Sequence, residues 1–435
     1  MEIRIEKSSN KRIVIVGGGF GGLQLSQDLA KSDFQVVLID RNNFWQFQPL
    51  FYQVATCGLE SSSIVFPYRK IHQKSKNVHI RLTSVLQILP EENKIITQHG
   101  DVDYDHLVIA TGAGNNYFGN ENIERNAFPM KSLVQSLHLR NTILERFEQA
   151  LSVPKEEQEA YLTFVIAGAG PTGTELAGAL AEMKSDILPK DYPELDFSKM
   201  KIIVVEGGAR VLGAMHPDSS EKAHLYLKQL GVEVRLSTYV DDYDGSVVKI
   251  KGGDEIQSKT LIWSAGIKGN MIDGLTNAEV LPGNRLKVDD FNRVSGYENV
   301  YAIGDIAAMI SEDYPRGHPQ MAQPAIQQGK NLAKNFKAGA VASWKPFNYK
   351  NLGSMATVGR NKAVVELPKK RFGGFIAWFL WMFVHLRSIF GVKNKWIVFV
   401  NWVWNYFTSN SSLRLIIRRR EAKLEPKEIQ EILKR

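Results

Sequence analysis

The sequence predicts an α/β fold: two strand–glycine turn–helix–strand units, the second inserted into the first, with a C-terminal region of amphipathic helices appended. Three observations carry this. A β-branched strand, Ile13–Val16, breaks into Gly17-Gly18-Gly19-Phe20-Gly21-Gly22, followed by a helical stretch Leu23–Lys31 and a strand Gln35–Ile39 that ends on Asp40. The same grammar returns at Leu162–Ala167, Gly168-Ala169-Gly170-Pro171-Thr172-Gly173, a helix from Thr174, and a strand Lys201–Val205 that ends on Glu206. Residues 361–435 hold 15 Lys/Arg against 5 Asp/Glu, while the first 360 residues hold 39 against 41.

The remaining elements follow in chain order. Val78–Ile88 and Lys94–Gln98 read as hairpin-like strands, and Tyr104–Ile109 runs into the turn Ala110-Thr111-Gly112. Lys184–Met200, with Pro189 and Pro193, is an insertion that lengthens the second crossover beyond the usual unit of about 30 residues. Strands at Val232–Leu236 and Leu261–Ser264 precede Asn299–Asp305, and a helix spans Gln323–Ala338. At roughly 100–200 residues per domain, 435 residues suggest two or three. The divisions fall at 1–120 and 281–345 for the split first unit, 121–280 for the second, and 346–435 for the appended region.

Composition excludes several classes. A hydrophobic content of 44% rules out a mainly disordered chain. One cysteine, Cys57, rules out a disulfide scaffold, a CxxC redox pair and a four-thiolate cluster. Nine histidines without an HxxxH pair leave a metal no obvious home. Positive charge confined to one end does not suit a nucleic-acid binder. No apolar leader precedes the first strand, so the body is expected to stay on the cytoplasmic side.

Each glycine loop has the chemistry of a dinucleotide cradle. Gly17 and Gly168 turn the chain out of the strand, Gly19 and Gly170 admit a pyrophosphate, and Gly22 and Gly173 let helix pack on sheet. The helix N-terminus presents free N–H groups to the phosphates. Asp40, 18 residues after Gly22, is placed to accept ribose hydroxyls. Glu206 would repel a 2′-phosphate and favour NADH over NADPH; Arg210 nearby can instead accommodate that phosphate.

With Ala110-Thr111-Gly112 and Ala302-Ile303-Gly304-Asp305, these loops resemble the two-dinucleotide-binding-domain flavoproteins, whose Rossmann-like domains hold FAD and NAD(P)H. Four further segments resemble the type II, non-proton-pumping NADH:quinone oxidoreductases: Gln48–Thr56, Gly168–Gly178, Ala322–Gly329 and Leu352–Arg360. The resemblance runs from about Lys11 to Phe407; Trp45 departs from it, since many relatives carry histidine there. It implies that Gly17, Gly19, Phe20, Gly21, Gly22, Asp40, Arg41, Pro49 and Val85 hold non-covalent FAD, joined by Ala110, Thr111, Gly112, Gly304, Asp305 and Ala322. It implies that NADH lies on Gly168, Gly170, Pro171, Thr172, Gly173, Glu206, Ala265 and Gly266. Gln323, Ile326 and Gln327 would line the quinone pocket, the two glutamines one helical turn apart. Glu175 would lie near the nicotinamide, tuning charge or relaying protons; a plain helix-start acid is the alternative.

The missing thiols narrow the acceptor. Disulfide reductases and sulfide:quinone oxidoreductases in this superfamily need at least two cysteines, so electrons must leave the flavin directly, and a membrane quinone (ubiquinone or menaquinone) fits. Residues 372–407 hold 13 of 43 aromatics and five of eight tryptophans. Phe375–Leu386 is too short to span a bilayer, which needs about 20 apolar residues. It and Trp396–Val403 read as in-plane amphipathic helices, a third lying around Leu413–Lys423. Lys369-Lys370-Arg371 and Arg418-Arg419-Arg420 can pair with anionic lipid. A hairpin buried on the protein's own core, or a homodimer seam, is the competing reading.

The expected reaction is NADH + H⁺ + quinone → NAD⁺ + quinol through FAD, in a peripheral membrane enzyme. Its rivals are a soluble NAD(P)H-dependent flavoprotein reductase feeding a protein such as a ferredoxin, and a non-enzymatic NADH-sensing scaffold.

Overall fold

The computed structural model describes residues 3–6, 8–410 and 412–417. Two five-stranded, all-parallel sheets form its frame. The first runs Val300–Ala302, His106–Ile109, Arg12–Val16, Gln35–Asp40, Val78–Leu82. The second runs Phe128–Pro129, Thr260–Trp263, Thr163–Ala167, Lys201–Val205, Glu233–Arg235. Arg12–Val16 and Thr163–Ala167 are buried at every position, which is why they are runs of Val and Ile rather than alternating sequences. Each is the central strand of its sheet, so the loop that leaves it opens at the topological switch point.

The second sheet is inserted between strands of the first. The chain crosses outward at Ala113–Asn115 and back at Ile267–Gly269, and the two crossings pair as an antiparallel ribbon. The Thr111 hydroxyl donates to Asn270 O (2.7 Å), and Asn270 Nδ2 donates to Thr111 O (2.9 Å).

Three local expectations change. Val78–Ile88 is two strands: Val78–Leu82 joins the parallel sheet, whereas Val85–Leu89 opens an antiparallel meander with Lys94–Thr97 and Gly100–Asp103. Apolar residues recur on both sides of Thr83-Ser84, so the pattern does not reveal that bend. Both glycine-loop helices start earlier than expected, at Phe20 and Pro171, because a glycine N-cap carries no side chain to mark the boundary. Leu413–Ile417 is not helical, and Arg418 to Lys423 lies outside the described residues.

The C-terminal region is a meander, Ser354–Thr357, Ala363–Leu367 and Lys370–Gly373, followed by helices Phe375–Ser388 and Val392–Thr408. No helix among the described residues is long and apolar enough to cross a membrane. The helices are two-faced. Ala377, Trp381, Val398 and Trp402 are buried against the body, while Phe375, Ile376, Phe379, Phe383, Trp396, Val400, Trp404 and Phe407 are exposed. Burying side chains of the larger kind contributes about 1.5–3 kcal/mol each. Polar ties add direction: the Trp402 indole donates to Gln53 Oε1 (2.7 Å), Asn405 to Gly58 O (3.0 Å), and Asn394 to Val65 O (3.0 Å). Trp45 is buried, its ring 5.5 Å from Phe20 and 4.7 Å from Phe390, so it wedges the first glycine loop against this region.

Candidate functional site

The two glycine loops are built alike, atom for atom. At Gly17 (φ +104°) and Gly168 (φ +98°) the backbone is left-handed. A Cβ on Gly22 would stand 1.9 Å from Gly17 O, and one on Gly173 would stand 1.9 Å from Gly168 O. A Cβ on Gly19 or Gly170 would meet nothing within 4 Å, so each loop keeps an open floor. The helices Phe20–Asp28 and Pro171–Glu182 carry no side-chain cap, unlike those capped by Asn120 and Ser132. Their first N–H groups remain available to an anion.

The acids are held in the same way. Asp40 Oδ2 accepts from Gly18 N (2.7 Å) and Oδ1 from Asn42 N (2.7 Å). Glu206 Oε2 accepts from Ala169 N (2.6 Å) and Oε1 from Gly208 N (2.6 Å). Each carboxylate is thereby fixed at the lip of its loop with lone pairs to spare for hydroxyls. Burial raises the Asp40 carboxyl above its ordinary range, while the two amides and Tyr68 oppose the shift. Tyr68 was not anticipated. Its hydroxyl donates to Gly18 O (2.9 Å), and its ring fills the space a Cβ on Gly18 would need.

The first cradle is closed by the Gly304–Ile306 turn. Gly304 N donates to Gln328 Oε1 (2.7 Å), and Gln320 Nε2 to Asp305 O (3.0 Å). Among the described residues no hydrogen bond reaches the Asp305 carboxylate, and Lys131 Nζ lies 4.0 Å from it. Burial raises its pKa, opposed by Lys131 and Arg285. An enclosed acceptor of this kind suits ligand hydroxyls. Ala322 begins the uncapped helix Ala322–Ala338, which packs on the Phe20–Asp28 helix so closely that a Cβ on Gly329 would stand 2.6 Å from Gly21 O.

A cavity of about 150 Å³ lies between the second cradle's helix and the C-terminal helices, lined by Glu175, Glu182, Thr357, Trp381, Trp402 and Tyr406 among others. Glu175 is buried; its Oε1 accepts from Thr357 N (3.4 Å). Burial pushes its pKa up to about 8, with Thr357 and Trp381 pulling the other way. The buried Trp381 indole N–H faces Glu175 without reaching full hydrogen-bond geometry. On its other face Trp381 stacks on His385, 4.0 Å between centroids, whose pKa burial pushes down to about 4. Cys57 lines the same cavity, and burial pushes its thiol up to about 12, which removes it from thiolate chemistry.

Residues 11–329 match the pyridine nucleotide-disulphide oxidoreductase family, and residues 351–410 match the NDH2 C-terminal domain. The type II NADH:quinone oxidoreductase Ndh of Mycobacterium tuberculosis is 35% identical over 92% of this chain and 88% of its own. The chain belongs to the type II NADH:quinone oxidoreductases. A solved structure of NDH2 from Plasmodium falciparum in complex with NADH shares the fold at a TM-score of 0.86, with 20% identity over 94% of this chain and all of that one. The sulfide:quinone oxidoreductase of Aquifex aeolicus shares it at 0.71, with 19% identity over 94% of this chain and 96% of that one.

Membership implies a flavin and NADH, and the two open-floored cradles and the Asp305 carboxylate fit two dinucleotides. Of the residues expected to hold them, Gly17, Gly19, Phe20, Gly21, Gly22, Asp40 and Ala110 converge on the first loop; a Cβ on Gly17 would meet Ala110 O at 2.3 Å. Arg41 is exposed beside Asp40, and Pro49 sits in the Gln48–Leu50 turn. Val85 begins the meander, two residues after Thr83, whose N–H donates to Asp40 O. The side chain of Thr111 is engaged in the inter-sheet ribbon, and Gly112 O accepts from Asn270 N. Gly168, Gly170, Pro171, Thr172 and Gly173 form the second loop, with Ala265 and Gly266 on the facing strand exit.

Gln323 and Gln327 both engage the backbone of one neighbouring segment. Gln323 Nε2 donates to Gly353 O (3.0 Å) and its Oε1 accepts from Leu352 N (3.2 Å); Gln327 repeats this on Lys350 O and N (2.9 and 3.0 Å). Both amides clamp the chain at Lys350–Gly353, with half-buried Ile326 between them. That chain runs directly into Ser354–Thr357, which meets Glu175.

Proposed function

We propose that this protein is a peripheral membrane enzyme that oxidises NADH and reduces a membrane quinone through non-covalent FAD. The pairing of two dinucleotide cradles with a buried, proton-bearing acid beside an aromatic cavity carries the reading. FAD is assigned to the first loop, its ribose to Asp40 and its ribityl–pyrophosphate region to Asp305. NADH is assigned to the second loop, with Glu206 on its ribose and Pro171–Thr172 at its phosphates. Bound flavin supplies the two-electron relay between hydride donor and quinone. The chain's own residues bind, orient and move protons. The uncapped start of the Ala322–Ala338 helix would offer positive dipole to negative charge on a bound flavin. Gln323 and Gln327 act by holding Lys350–Gly353, with Ile326 as apolar wall. Glu175, still protonated at pH 7, gives a proton to the quinone oxygen at the inner end of the cavity.

The exposed faces of Phe375–Ser388 and Val392–Thr408 rest on the bilayer from the cytoplasmic side, with Lys369, Lys370 and Arg371 at anionic headgroups. The cavity between these helices and the body is then the route by which quinone leaves the lipid. Introducing one charge on that face, Phe379→Glu or Trp404→Glu, is expected to lower partitioning onto anionic vesicles about tenfold or more, as sedimentation would read; each residue is 60% exposed, so folding is spared.

The reaction itself is tested by anaerobic stopped-flow on purified protein. NADH bleaches the flavin absorbance, and a short-chain quinone restores it. Bleaching without recovery would overturn the quinone assignment alone, whereas colourless protein that cannot be reconstituted with FAD would overturn the whole reading.

A further inference from the structure

We propose that Glu182 is a proton relay, carrying protons from water at Asp186 inward to Glu175 along one wall of the aromatic cavity. The inference rests on the quinone reading above and adds the route by which the reaction's one solvent proton arrives. NADH brings two electrons and one proton as hydride, and quinol carries two protons, so each turnover draws one more from water. A site roofed by apolar helices against a membrane has to import it.

The geometry comes from one helix face. Glu175 and Glu182 are seven residues apart, two turns and about 10 Å along the axis. Asp186 lies four further on, within the π-helical turn Met183–Ile187 that extends the Pro171–Glu182 helix. Such turns recur at functional sites because they re-aim side chains. All three carboxyls line the same cavity. Exposure rises outward along the row: Glu175 is 7% exposed, Glu182 is half-buried, and the Asp186 side chain is 38% exposed. Ser409, whose hydroxyl donates to Asp186 Oδ2 (3.5 Å), also lines a second, polar recess with Lys190, Asp191, Thr408, Asn410 and Arg414. The gap between Glu175 and Glu182 is too long for direct transfer, but the cavity has room for several waters at about 30 Å³ each. The Trp381 indole N–H, which also lines that cavity, faces Glu175 and marks the inner end of the row.

Every charged or titratable neighbour of Glu182 suits a relay rather than a fixed ion pair. Its Oε1 accepts from the backbone N–H of Arg360, while the Arg360 guanidinium turns away to Asp186 (3.6 Å), Ser409 Oγ (2.9 Å) and the carbonyls of Asn405 and Tyr406. Arg360 and Lys362 pull the Glu182 pKa down, Asp186 pushes it up, and burial, the largest influence, raises it on balance. Tyr52 and Glu175 also line the cavity, as do Gln53, Thr56, Thr357 and Asn405. Arg360 meanwhile fastens the end of the Val392–Thr408 helix beside the row, whose exposed member is Asp186.

The test compares two acceptors on flavin-loaded enzyme. Ferricyanide takes electrons without protons; a short-chain quinone needs both. Glu182→Gln keeps the acceptor oxygen for Arg360 N but cannot relay. It is expected to lower quinone turnover about tenfold or more, with ferricyanide turnover and FAD content within about twofold of wild type. Glu182→Asp is expected to recover most of the quinone rate. Asp186→Asn is expected to fall between, because water can partly replace an exposed mouth. Equal loss with both acceptors, or a quinone rate unchanged in Glu182→Gln, would overturn the relay. Wild-type enzyme that reduces ferricyanide and not quinone would instead overturn the reading on which it rests.

Discussion

Gly173→Ala is expected to give a yellow protein that NADH bleaches about 100-fold more slowly. The added Cβ would stand 1.9 Å from Gly168 O and 2.9 Å from Ser264 Oγ. The first contact is backbone in a strand-to-helix turn, so no rotamer relieves it; the Pro171–Glu182 helix must move off its strand by an ångström or more. That displaces the helix N-terminus from the phosphates, and misplacement on this scale costs about 100-fold in rate. The first cradle belongs to a separate sheet and keeps its cofactor. Gly22→Ala is the reciprocal case. Its Cβ would meet Gly17 O at the same distance, and it is expected to abolish flavin content at comparable purity. Flavin absorbance per chain and the anaerobic bleaching rate separate the two. Bleaching of Gly173→Ala at the wild-type rate would mean that hydride enters elsewhere.

Glu175→Gln is expected to make the protein more stable at alkaline pH and slower toward quinone. The native carboxyl titrates at about 8, against 4.5 for the free group. Between those values the folded state binds a proton that the unfolded state has released, so stability falls as pH rises. Below the lower value both states are protonated and the cost is absent; above the upper it is complete, on the order of 5 kcal/mol. The amide escapes this penalty. The melting temperatures of variant and wild type should therefore coincide near pH 4 and separate progressively up to pH 8, by several degrees. Wild-type quinone turnover is expected to decline as pH rises through about 8 and Glu175 loses its proton, and the variant to run about 100-fold slower at pH 7. Melting curves that stay parallel across that range would show that the carboxyl is ionised in the native state.

Much of the site was readable because its chemistry is local. A dinucleotide loop requires glycine at three spaced positions between a β-branched strand and a helix, and an acid one strand later. Asp40 and Glu206 accept from equivalent backbone amides of their own loops, a geometry set within one strand–helix–strand unit. Distant partners left weaker traces. Gln323, Gln327 and Gln328 stand within six positions, and sequence periodicity pairs the first two. It does not say that those two would clamp Lys350–Gly353 while Gln328, on another face, secures Gly304. Tyr68 and Lys131 carried no motif at all; they reach Gly18 and Asp305 through chain reversals.

The sequence alone determined the two cradles, their acids, the α/β class and a basic aromatic end too short to span a membrane, since all of these depend on neighbours within a few tens of residues. Only the tertiary structure decided what the aromatic end covers. Trp381, Trp402 and Arg360 close over the helix that bears Glu175 and Glu182, turning two ordinary helix acids into a buried and a half-buried one with raised pKa values. Burial depends on which surfaces meet, and segments almost two hundred residues apart meet here through desolvation and packing that no local pattern encodes.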